Sequence, residues 1–573
     1  MAVRTSLTAA LAGAGLSFCL GVAAATADTP KLAPDLMAES TVGAYLSGRH
    51  AMAANDREAA AVYLKEALKD DPQNEQLRRR LFWVLLGAGQ PTEAVDYADA
   101  ASSEGGDATV AALLLSIERV RAGDWAGAEQ RLAKLSRSNI NRFLVPLVLG
   151  WVQAGAGKTD EALATLKAVG EQQGNGILRD LHCGLVAELA KRPEQAGQFY
   201  AAALQAMPRM PLRMVEAIGG FYERTGKAAE AKPLYQDYAE DNPESAIGQI
   251  LLERAAQGKT TPPIVASARD GLAEALFHFA SALQQERSAE FALVLTRLAL
   301  HLRPDLDAAQ MLVAGILEQQ QRNVDANKVY QSIAPGSWFS WSARLRVASN
   351  LEAMEKFDDA EALLRAMGKE RTDRVDALAQ LGGMLRTKER FAEAVAVYDD
   401  TLKRVDKIDK RHWSLLYARG IALERSKQWA RAEADFLRAL ELQPDQPYVL
   451  NYLGYSWIDQ GINLDRGMDM IRRAVEQRPN DGYIVDSLGW AHYRLGNYDK
   501  AAEHLERAVE LRPVDPTIND HLGDAYWKVG RVLEARFQWK RAQGLKPDAE
   551  LASQLEKKLK DGLTASAPGQ RGG

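Results

Sequence analysis

Residues 447–549 contain one sequence pattern three times: PYVLNYLGYSWIDQG (447–461), DGYIVDSLGWAHYRLGNYDKAAEHLERAVELRPV (481–514) and DPTINDHLGDAYWKVGRVLEARFQWKRAQGLKPDA (515–549). The last two segments align at an offset of 34 residues. The aligned pairs are Leu488 and Leu522, Gly489 and Gly523, Gly496 and Gly530, Ala501 and Ala535, Ala508 and Ala542, and Pro513 and Pro547. This constant spacing indicates that the chain is built from a repeated structural unit.

Each unit is predicted to be a pair of helices. In the last unit, apolar residues at helical spacing form one face of a first helix: Ile518, Leu522, Ala525 and Tyr526. Gly530 then provides a turn, and a second helix is predicted over about 532–545. Pro547 ends this helix, because proline has no amide hydrogen to donate. The small residues Gly523 and Ala535 are expected where the two helices cross.

The pattern resembles the tetratricopeptide repeat (TPR), in which a Leu-Gly pair is followed by an aromatic residue, a small residue and a closing proline. One departure is His492, which stands where Trp457 and Tyr526 supply the aromatic residue. The resemblance implies an all-α fold, a TPR solenoid in which antiparallel helix pairs stack into a right-handed superhelix. It also implies an inner groove lined by the first helix of each unit.

The small residue of the second helix marks the repeat along the chain. It identifies fourteen units, at Ala60, Ala94, Ala128, Ala162, Ala196, Ala231, Ala292, Ala326, Ala360, Ala394, Ala432, Gly467, Ala501 and Ala535. The spacing is lost at 257–270, where Gly258, Pro262 and Pro263 disfavour a helix. This stretch is therefore the predicted boundary between two lobes.

These observations divide the chain into six predicted segments. They are a signal peptide (1–27), an N-terminal TPR lobe (28–256), an irregular loop or degenerate repeat (257–270), a C-terminal TPR lobe (271–547), a capping helix (548–563) and a disordered tail (564–573). Almost no sequence remains outside the repeats, so a catalytic domain is not expected.

The first 27 residues have the features of a secretory signal peptide. Arg4 precedes a run of small and apolar residues, and residues 25–27 fit an A-x-A cleavage site. We therefore expect a periplasmic protein of a Gram-negative bacterium, without a transmembrane segment after cleavage. An uncleaved membrane anchor is one alternative, although the apolar run is short. Lipidation of Cys19, with attachment to the outer membrane, is another, and the bulky Phe18 disfavours it.

Composition and motifs argue against an enzyme. The 573 residues carry a formal net charge of −5, whereas a nucleic-acid binder needs a basic stripe. The eight histidines show no zinc-binding spacing, and neither a phosphate-binding loop nor a nucleophile elbow occurs. After cleavage Cys183 is the single cysteine, and it is expected to be a buried structural thiol. We predict no catalytic residue, no metal and no cofactor.

The TPR resemblance places defined positions of each first helix in the groove. In the last three units the predicted partner-binding residues are Tyr448, Asn451, Tyr455, Tyr483, Asp486, Trp490, Tyr493, Arg494, Asp520, Asp524, Trp527 and Lys528. They predict an aromatic, partly acidic groove for an extended or helical peptide, because rigid aromatic side chains often dominate binding energy. The alternative is that some of these aromatic residues only pack between neighbouring units.

Residues 451–508 also resemble large proteobacterial TPR proteins of the cell envelope. These include TPR lipoproteins that present substrates to a carboxy-terminal processing protease. The resemblance implies a non-catalytic periplasmic scaffold or adaptor that binds other proteins, such as an envelope protease or assembly factors. The second class of function is an accessory protein of polysaccharide export or peptidoglycan synthesis, in which the aromatic residues stack on sugars. Neither class of function determines the oligomeric state.

Overall fold

The computed structural model describes residues 40–102, 105–170, 176–206, 210–242, 247–285 and 288–563. Within them the chain forms thirty α-helices and three short 3-10 segments, and no β-strand. The first fifteen helices are α1 Thr41–Ala53, α2 Arg57–Ala67, α3 Glu75–Ala88, α4 Pro91–Ala94, α5 Gly105–Arg121, α6 Trp125–Ala133, α7 Asn141–Gly155, α8 Thr159–Lys167, α9 Gly176–Leu189, α10 Pro193–Gln205, α11 Leu212–Arg224, α12 Ala228–Asp241, α13 Ile247–Ala256, α14 Ala268–Gln285 and α15 Ala289–Leu302. The others are α16 Asp307–Gln319, α17 Asn323–Gln331, α18 Ser340–Ala353, α19 Phe357–Glu370, α20 Asp376–Thr387, α21 Phe391–Lys403, α22 Trp413–Arg425, α23 Trp429–Leu442, α24 Pro447–Asp459, α25 Leu464–Gln477, α26 Gly482–Arg494, α27 Tyr498–Leu511, α28 Pro516–Lys528, α29 Val532–Gly544 and α30 Ala549–Asp561. The expected signal peptide and C-terminal tail lie outside the described residues.

The repeat marker of the sequence is buried in every unit. All thirteen marker alanines, from Ala60 to Ala535, have no exposed surface, and Gly467 is buried as well. In the last unit, α28 and α29 begin and end close to the predicted positions. The predicted all-α solenoid of TPR helix pairs is therefore confirmed.

Close helix packing explains why small residues recur at these positions. Between α24 and α25, a Cβ atom added at Gly454 would lie 2.7 Å from the carbonyl oxygen of Gly467. One added at Gly467 would lie 2.9 Å from the carbonyl oxygen of Gly454. Neither distance leaves room for a carbon atom beside rigid backbone, so both positions require glycine at this crossing.

The described turns inside the helix pairs contain a left-handed residue, and the turn between α24 and α25 contains two, Gly461 and Asn463. Gly530, between α28 and α29, has a φ of +85°. The equivalent turns of earlier units place Glu355 and Glu389 in the same region, at +61° and +57°. Side chains disfavour this conformation, and the stacked helices on either side hold it in place.

None of the helices in the described part of the chain is long and apolar enough to cross a bilayer.

The chain divides into two compact units, which are described separately. Unit 1 comprises Met1–Tyr238 and Ile250–Arg322, and unit 2 comprises Ala239–Gln249 and Asn323–Gly573. The sequence predicted an irregular stretch and a lobe boundary at 257–270. Residues 257–267 are indeed without helix. They lie inside unit 1, however, so the compact units divide at a different place.

Hydrogen bonds explain why this loop belongs to unit 1. The backbone N and Oγ1 of Thr261 donate to the Glu223 carboxylate at 2.9 and 2.7 Å. Arg224 donates to the carbonyl oxygen of Thr261 at 2.6 Å, and Arg303 donates to that of Ile264 at 2.9 Å. The loop is therefore anchored by helices on both sides of it in the sequence.

After the loop, the helix pair α14–α15 packs across earlier units of unit 1. Helix α14 packs against α7 and α9, and α15 packs against α3 and α5. These four are first helices of their units, which line the groove in TPR proteins. The pair α14–α15 therefore fills the groove of unit 1. The sequence had predicted it to be an ordinary member of the C-terminal lobe, and the regular spacing of its marker Ala292 gave no sign of this position.

Unit 2 contains the helix pairs that carry the predicted site. Helices α18 to α29 pack in sequence order, each against the next. The capping helix predicted at 548–563 corresponds to α30, which packs against α29 at the end of the array.

Candidate functional site

The predicted groove residues lie on three successive first helices of unit 2. Helix α24 carries Tyr448, Asn451 and Tyr455, helix α26 carries Tyr483, Asp486, Trp490, Tyr493 and Arg494, and helix α28 carries Asp520, Asp524, Trp527 and Lys528. Because α24 packs against α26 and α26 against α28, the three helices form one continuous surface. Their side chains fall into a buried ionic cluster, a residue covered by α30, and an accessible aromatic group.

The three aspartates of the predicted groove are buried and paired within the chain. Asp486, Asp520 and Asp524 are 5–7% exposed. The Nδ1 atom of His521 lies 3.0 Å from the Asp486 carboxylate. Lys558, which belongs to α30, donates to both Asp520 and Asp524 at 2.8 Å. The predicted acidic character is therefore neutralised internally instead of facing a partner.

The charged groups of this cluster shift one another's pKa values. Burial disfavours the charged imidazole of His521, but the adjacent Asp486 carboxylate, with Asp520 and Asp524, outweighs that effect and raises the pKa of His521. Burial and repulsion from Asp520 raise the pKa of Asp524, against the opposing effect of Lys558. Two basic groups, His521 and Lys558, thus contact three buried carboxyl groups.

Trp490 is the centre of an aromatic stack. Its ring lies parallel to that of Tyr493, with 4.8 Å between centroids, and to that of His521, with 4.0 Å between centroids. A protonated imidazole against an indole face is a favourable cation–π contact. The Nε1 atom of Trp490 is buried and has no acceptor among the described residues. The stack therefore holds a partly exposed tryptophan in a fixed orientation.

Trp527 is covered by the end of the capping helix. A Cβ atom added at Gly562, just after α30, would overlap the Trp527 indole. The same indole packs against Trp539 with 5.4 Å between centroids. Trp527 therefore belongs to the packing between α28, α29 and α30, as the alternative prediction allowed for some of these aromatics.

The remaining aromatic residues form what we call the aromatic strip: Tyr448, Tyr455, Tyr483, Trp490 and Tyr493. Tyr448 is 37% exposed, and the others are partly buried. Asn451 lies among them with a buried Oδ1 that has no donor in the described residues. Arg494 is exposed at the edge and pairs with Asp459. The aromatic strip is the part of the predicted groove that another molecule can reach.

Two arginines that were not among the predicted groove residues lie beside the aromatic strip. The guanidinium of Arg478 lies 5.6 Å from the ring centroid of Tyr448, and that of Arg512 lies 4.8 Å from Tyr483. Lys528 is exposed on α28. Both arginines follow second helices, outside the positions that the TPR resemblance assigns to the groove. The accessible surface therefore carries arginines as well as aromatic rings, together with Asp459, which pairs with Arg494.

The groove of unit 1 is closed by a buried ionic contact. Glu274 of α14 has no exposed surface. Arg213 donates to it through Nε at 3.1 Å and through a second, shorter bond. Arg303 also donates to it, at 3.1 Å. No sequence signal identifies this site, because Arg213 lies 61 residues from Glu274 and looks like an ordinary surface residue of its helix.

A chain of neutral hydrogen bonds lies beside Glu274. Trp151 donates from Nε1 to Nδ1 of His182 at 3.0 Å. His182 must therefore carry its proton on Nε2, from which it donates to Nδ1 of His278 at 3.2 Å. This assignment leaves both histidines neutral and joins α7, α9 and α14.

We expect unit 1 to lose stability in acid. Burial lowers the pKa of His182 well below 6.5, with His278 adding to this and Glu274 opposing it, and burial with Arg213 lowers the pKa of His278 to about 3. The unfolded chain binds both protons near pH 6.5, so the free energy of unfolding should fall as the pH drops through that value towards 3. Urea unfolding at about pH 7 and about pH 5, followed by hydrogen exchange of the α7, α9 and α14 amides, measures this.

The variant His278→Phe is the control for this prediction. It removes one titrating group while keeping a ring of similar size, and should reduce the dependence on pH. An equally steep dependence in the variant would show that other groups cause it.

The described residues contain clusters of titratable groups, such as His521 with Asp486 and His182 with His278. No three His, Cys, Asp or Glu side chains there could hold a metal ion. Cys183 is fully buried, as predicted, and burial raises the pKa of its thiol to about 12. A thiolate nucleophile is therefore not available at that position near neutral pH.

The helices are paired, small residues lie at their crossings, and an accessible strip lies on first helices. These features define a helical-repeat binding protein. Comparison with known families agrees. Family models described as "TPR repeat" or "Tetratricopeptide repeat" match residues 51–117, 346–407, 413–446 and 489–530, and a "Tetratricopeptide repeat-like domain" model matches 92–218. The chain is a tetratricopeptide repeat protein. Its repeats mark it as a scaffold for protein–protein interaction.

Individual relatives are distant. The chain is 27% identical over 195 residues to the TPR repeat-containing protein PA4667 of Pseudomonas aeruginosa, and the match spans about a third of each chain (33% and 32%). Among solved structures, the APC/C hetero-tetramer Cut9–Hcn1 matches with a TM-score of 0.38 and 15% identity over 92% of this chain and 98% of that one. YrrB, a TPR protein with an unusual peptide-binding site, matches with a TM-score of 0.26 and 19% identity over 34% of this chain and 97% of its own.

Proposed function

We propose that this protein is a non-catalytic scaffold or adaptor of the bacterial periplasm, which binds peptide segments of other proteins on the aromatic strip of unit 2. The observation that carries the proposal is the Trp490 stack. Tyr493 and His521 hold the indole in place before any partner arrives, so little conformational entropy is lost on binding. Rigid, partly exposed aromatic residues of this kind are typical of binding hot spots.

The surroundings of the strip indicate the kind of peptide. The groove of unit 1 is filled by α14–α15, whereas the aromatic strip of unit 2 is accessible. Arg478 and Arg512 lie against the strip, and Lys528 lies near Tyr498, which contacts Tyr493. The three aspartates of the predicted groove are paired within the chain. An extended segment with apolar and acidic residues therefore fits best, because its charges meet the bordering cations.

The proposed partners are an envelope protease with its substrates, or factors of envelope assembly. Many shallow contacts along a repeat array suit such a role, because linked weak sites act together. The protein would then hold two other proteins near each other without performing chemistry itself.

The double variant Trp490→Ala with Tyr493→Ala is expected to abolish partner capture. Loss of a hot spot costs about 2 kcal/mol or more, which weakens binding by a factor of about 30 or more. Affinity purification from the cell envelope with wild-type and variant bait measures this. Co-purified protease or assembly factors should be present with the wild type and lost with the variant.

Trp429→Ala is the matched control, because Trp429 is also partly exposed but begins a second helix, α23. It should leave capture unchanged, and both variants should keep the helical circular dichroism of the wild type. Retained capture by the double variant would refute the assignment of the strip. Binding of soluble glycan without any protein partner would favour the accessory role in polysaccharide export or peptidoglycan synthesis.

The periplasmic location has its own test. Residues 25–27 support cleavage by a signal peptidase. Intact mass and N-terminal sequencing of the protein from the periplasmic fraction should give a chain that begins at Asp28. A mature chain that begins at a lipidated Cys19 would place it on the outer membrane instead.

A further inference from the structure

A cavity of about 660 Å³ remains open at the N-terminal end of unit 1, beside the first turn of α15. Residues of α1, α2, α3 and α15 form its wall, which includes Arg57, Arg79, Arg80, Trp83 and Glu290. The volume is within the range of ligand-binding clefts. The pair α14–α15 therefore leaves space for a ligand at this end of the unit.

The wall on α3 is formed by positions that face the groove in the repeat. Arg79 and Trp83 lie 15 and 11 residues before their marker Ala94. On α26, Asp486 and Trp490 precede their own marker by the same numbers of residues. The cavity thus corresponds in the repeat to the site of the Trp490 stack, with a guanidinium group where unit 2 has a carboxylate.

Guanidinium groups outnumber carboxylates in the wall of the cavity. Arg57, Arg79 and Arg80 line it, and Glu290 is the one acidic residue of the wall. Arg57 donates to Glu290. Arg80 donates to the hydroxyl of Tyr45 at 2.7 Å and has no carboxylate partner within the described residues. The excess of positive charge favours an acidic ligand.

The cavity offers an apolar surface beside the positive charge. Arg79 donates to Asp107 of α5, but its side chain remains 49% exposed. Trp83 is partly exposed one turn further along α3. A guanidinium group binds a carboxylate through two parallel hydrogen bonds, and an indole ring packs against apolar groups. A ligand that fits the cavity therefore carries an acidic and an apolar group close together.

The spacing of the two groups matches an extended peptide. Residues four apart on a helix, such as Arg79 and Trp83, have Cβ atoms about 5–6 Å apart. In an extended segment, side chains two residues apart lie on the same side, about 6.6 Å from each other. An acidic and an apolar residue separated by one residue can therefore meet Arg79 and Trp83 at the same time.

We propose that this cavity is a second binding site, which takes an extended peptide segment with a carboxylate side chain two residues from an apolar side chain. The carboxylate binds Arg79 and Arg80, and the apolar side chain lies against Trp83. This site belongs to unit 1 and does not depend on the aromatic strip of unit 2. With both sites, one chain can hold two partners.

Fluorescence anisotropy of a labelled synthetic peptide tests the proposal. In this peptide glutamate and leucine stand two residues apart, with serine between them. The protein is the full chain with Trp490→Ala and Tyr493→Ala, so the aromatic strip does not contribute and the result is independent of the proposed function. The peptide should bind, and the same peptide with glutamine for glutamate should bind more weakly by a factor of about 10 or more.

Two substitutions in this background change the charge of the cavity in opposite directions. Arg80→Gln should weaken binding of the glutamate peptide by a factor of about 10. Glu290→Gln removes the competing carboxylate and should strengthen binding, by up to about fivefold. A gain in affinity cannot result from a loss of folding. Arg78→Gln is the control, because Arg78 is on the same helix but pairs with Asp99 outside the cavity, and it should have no effect.

The proposal is overturned if the glutamate peptide does not bind, if the glutamine peptide binds equally well, or if either substitution in the cavity acts otherwise. Displacement of the peptide by an equal concentration of inorganic phosphate would also overturn it. The cavity would then accept a free anion without the apolar group that Trp83 is proposed to contact.

Discussion

Replacing Glu274 by leucine should lower the free energy of unfolding of unit 1 by about 3–5 kcal/mol. The carboxylate of Glu274 has no exposed surface and is the shared acceptor of Arg213 and Arg303. Leucine removes this shared counter-charge. It leaves two guanidinium groups, 15% and 19% exposed, beside an apolar side chain, with Glu216 and Asp305 as their other ion-pair partners. Urea unfolding of the full chain, followed by hydrogen exchange of the α7, α9 and α14 amides, measures the loss.

Glu290→Leu is the matched control, since it makes the same change on the partner helix α15. Glu290 also pairs with an arginine, Arg57, but its side chain is 57% exposed. An exposed pair contributes about 0–1 kcal/mol, so this variant should unfold close to the wild type. Similar losses in the two variants would contradict the view that burial of Glu274 makes its contact strong.

Gly271→Ala is expected to destabilise unit 1 by about 1–3 kcal/mol, although alanine is favoured over glycine inside a helix by about 1 kcal/mol. A Cβ atom at Gly271 would overlap the six-membered ring of Trp151. That ring is completely buried, and its Nε1 is held by His182 at 3.0 Å. It has no free space to enter, so α14 must shift out of the groove. Thermal unfolding measures the effect.

Gly315→Ala, in the same unit, is expected to have the opposite effect on stability. Gly315 lies inside α16, and an added Cβ atom there meets nothing within 4 Å. Helix propensity alone then applies, and the variant should be more stable than the wild type by up to about 1 kcal/mol. A gain in stability for Gly271→Ala as well would show that the Trp151 ring adapts.

The helix pairs could be predicted from the sequence, but the place where the pair α14–α15 packs could not. A marker such as Ala535 is dictated by local packing between two helices that are close in sequence, so its spacing can be read directly. The position of α14–α15 depends on contacts such as Glu274 with Arg213, which are far apart in sequence. Ala292 keeps the same local role wherever its helix pair docks, so the spacing gave no information on this point.

For the candidate site, the positions of the aromatic residues could be predicted but the charge could not. Trp490 and Tyr493 could be placed on a first helix because their positions follow the repeat. The charge of the site could not be predicted, because Lys558 reaches Asp520 and Asp524 from a helix outside the repeats. An array of identical units would have kept an acidic groove, and the non-repeated C-terminal helix removes it.

The docking of α14–α15 sets the order in which unit 1 can fold. A ribosome makes the chain from its N-terminus, so α3, α5, α7 and α9 exist before α14 and α15 are made. Their inner surfaces remain exposed to solvent until residues 268–302 have emerged from the ribosome. Closure then joins positions as distant as Arg57 and Glu290, 233 residues apart, which makes it a slow, late step. The first third of the protein thus depends on a later segment as a built-in folding partner.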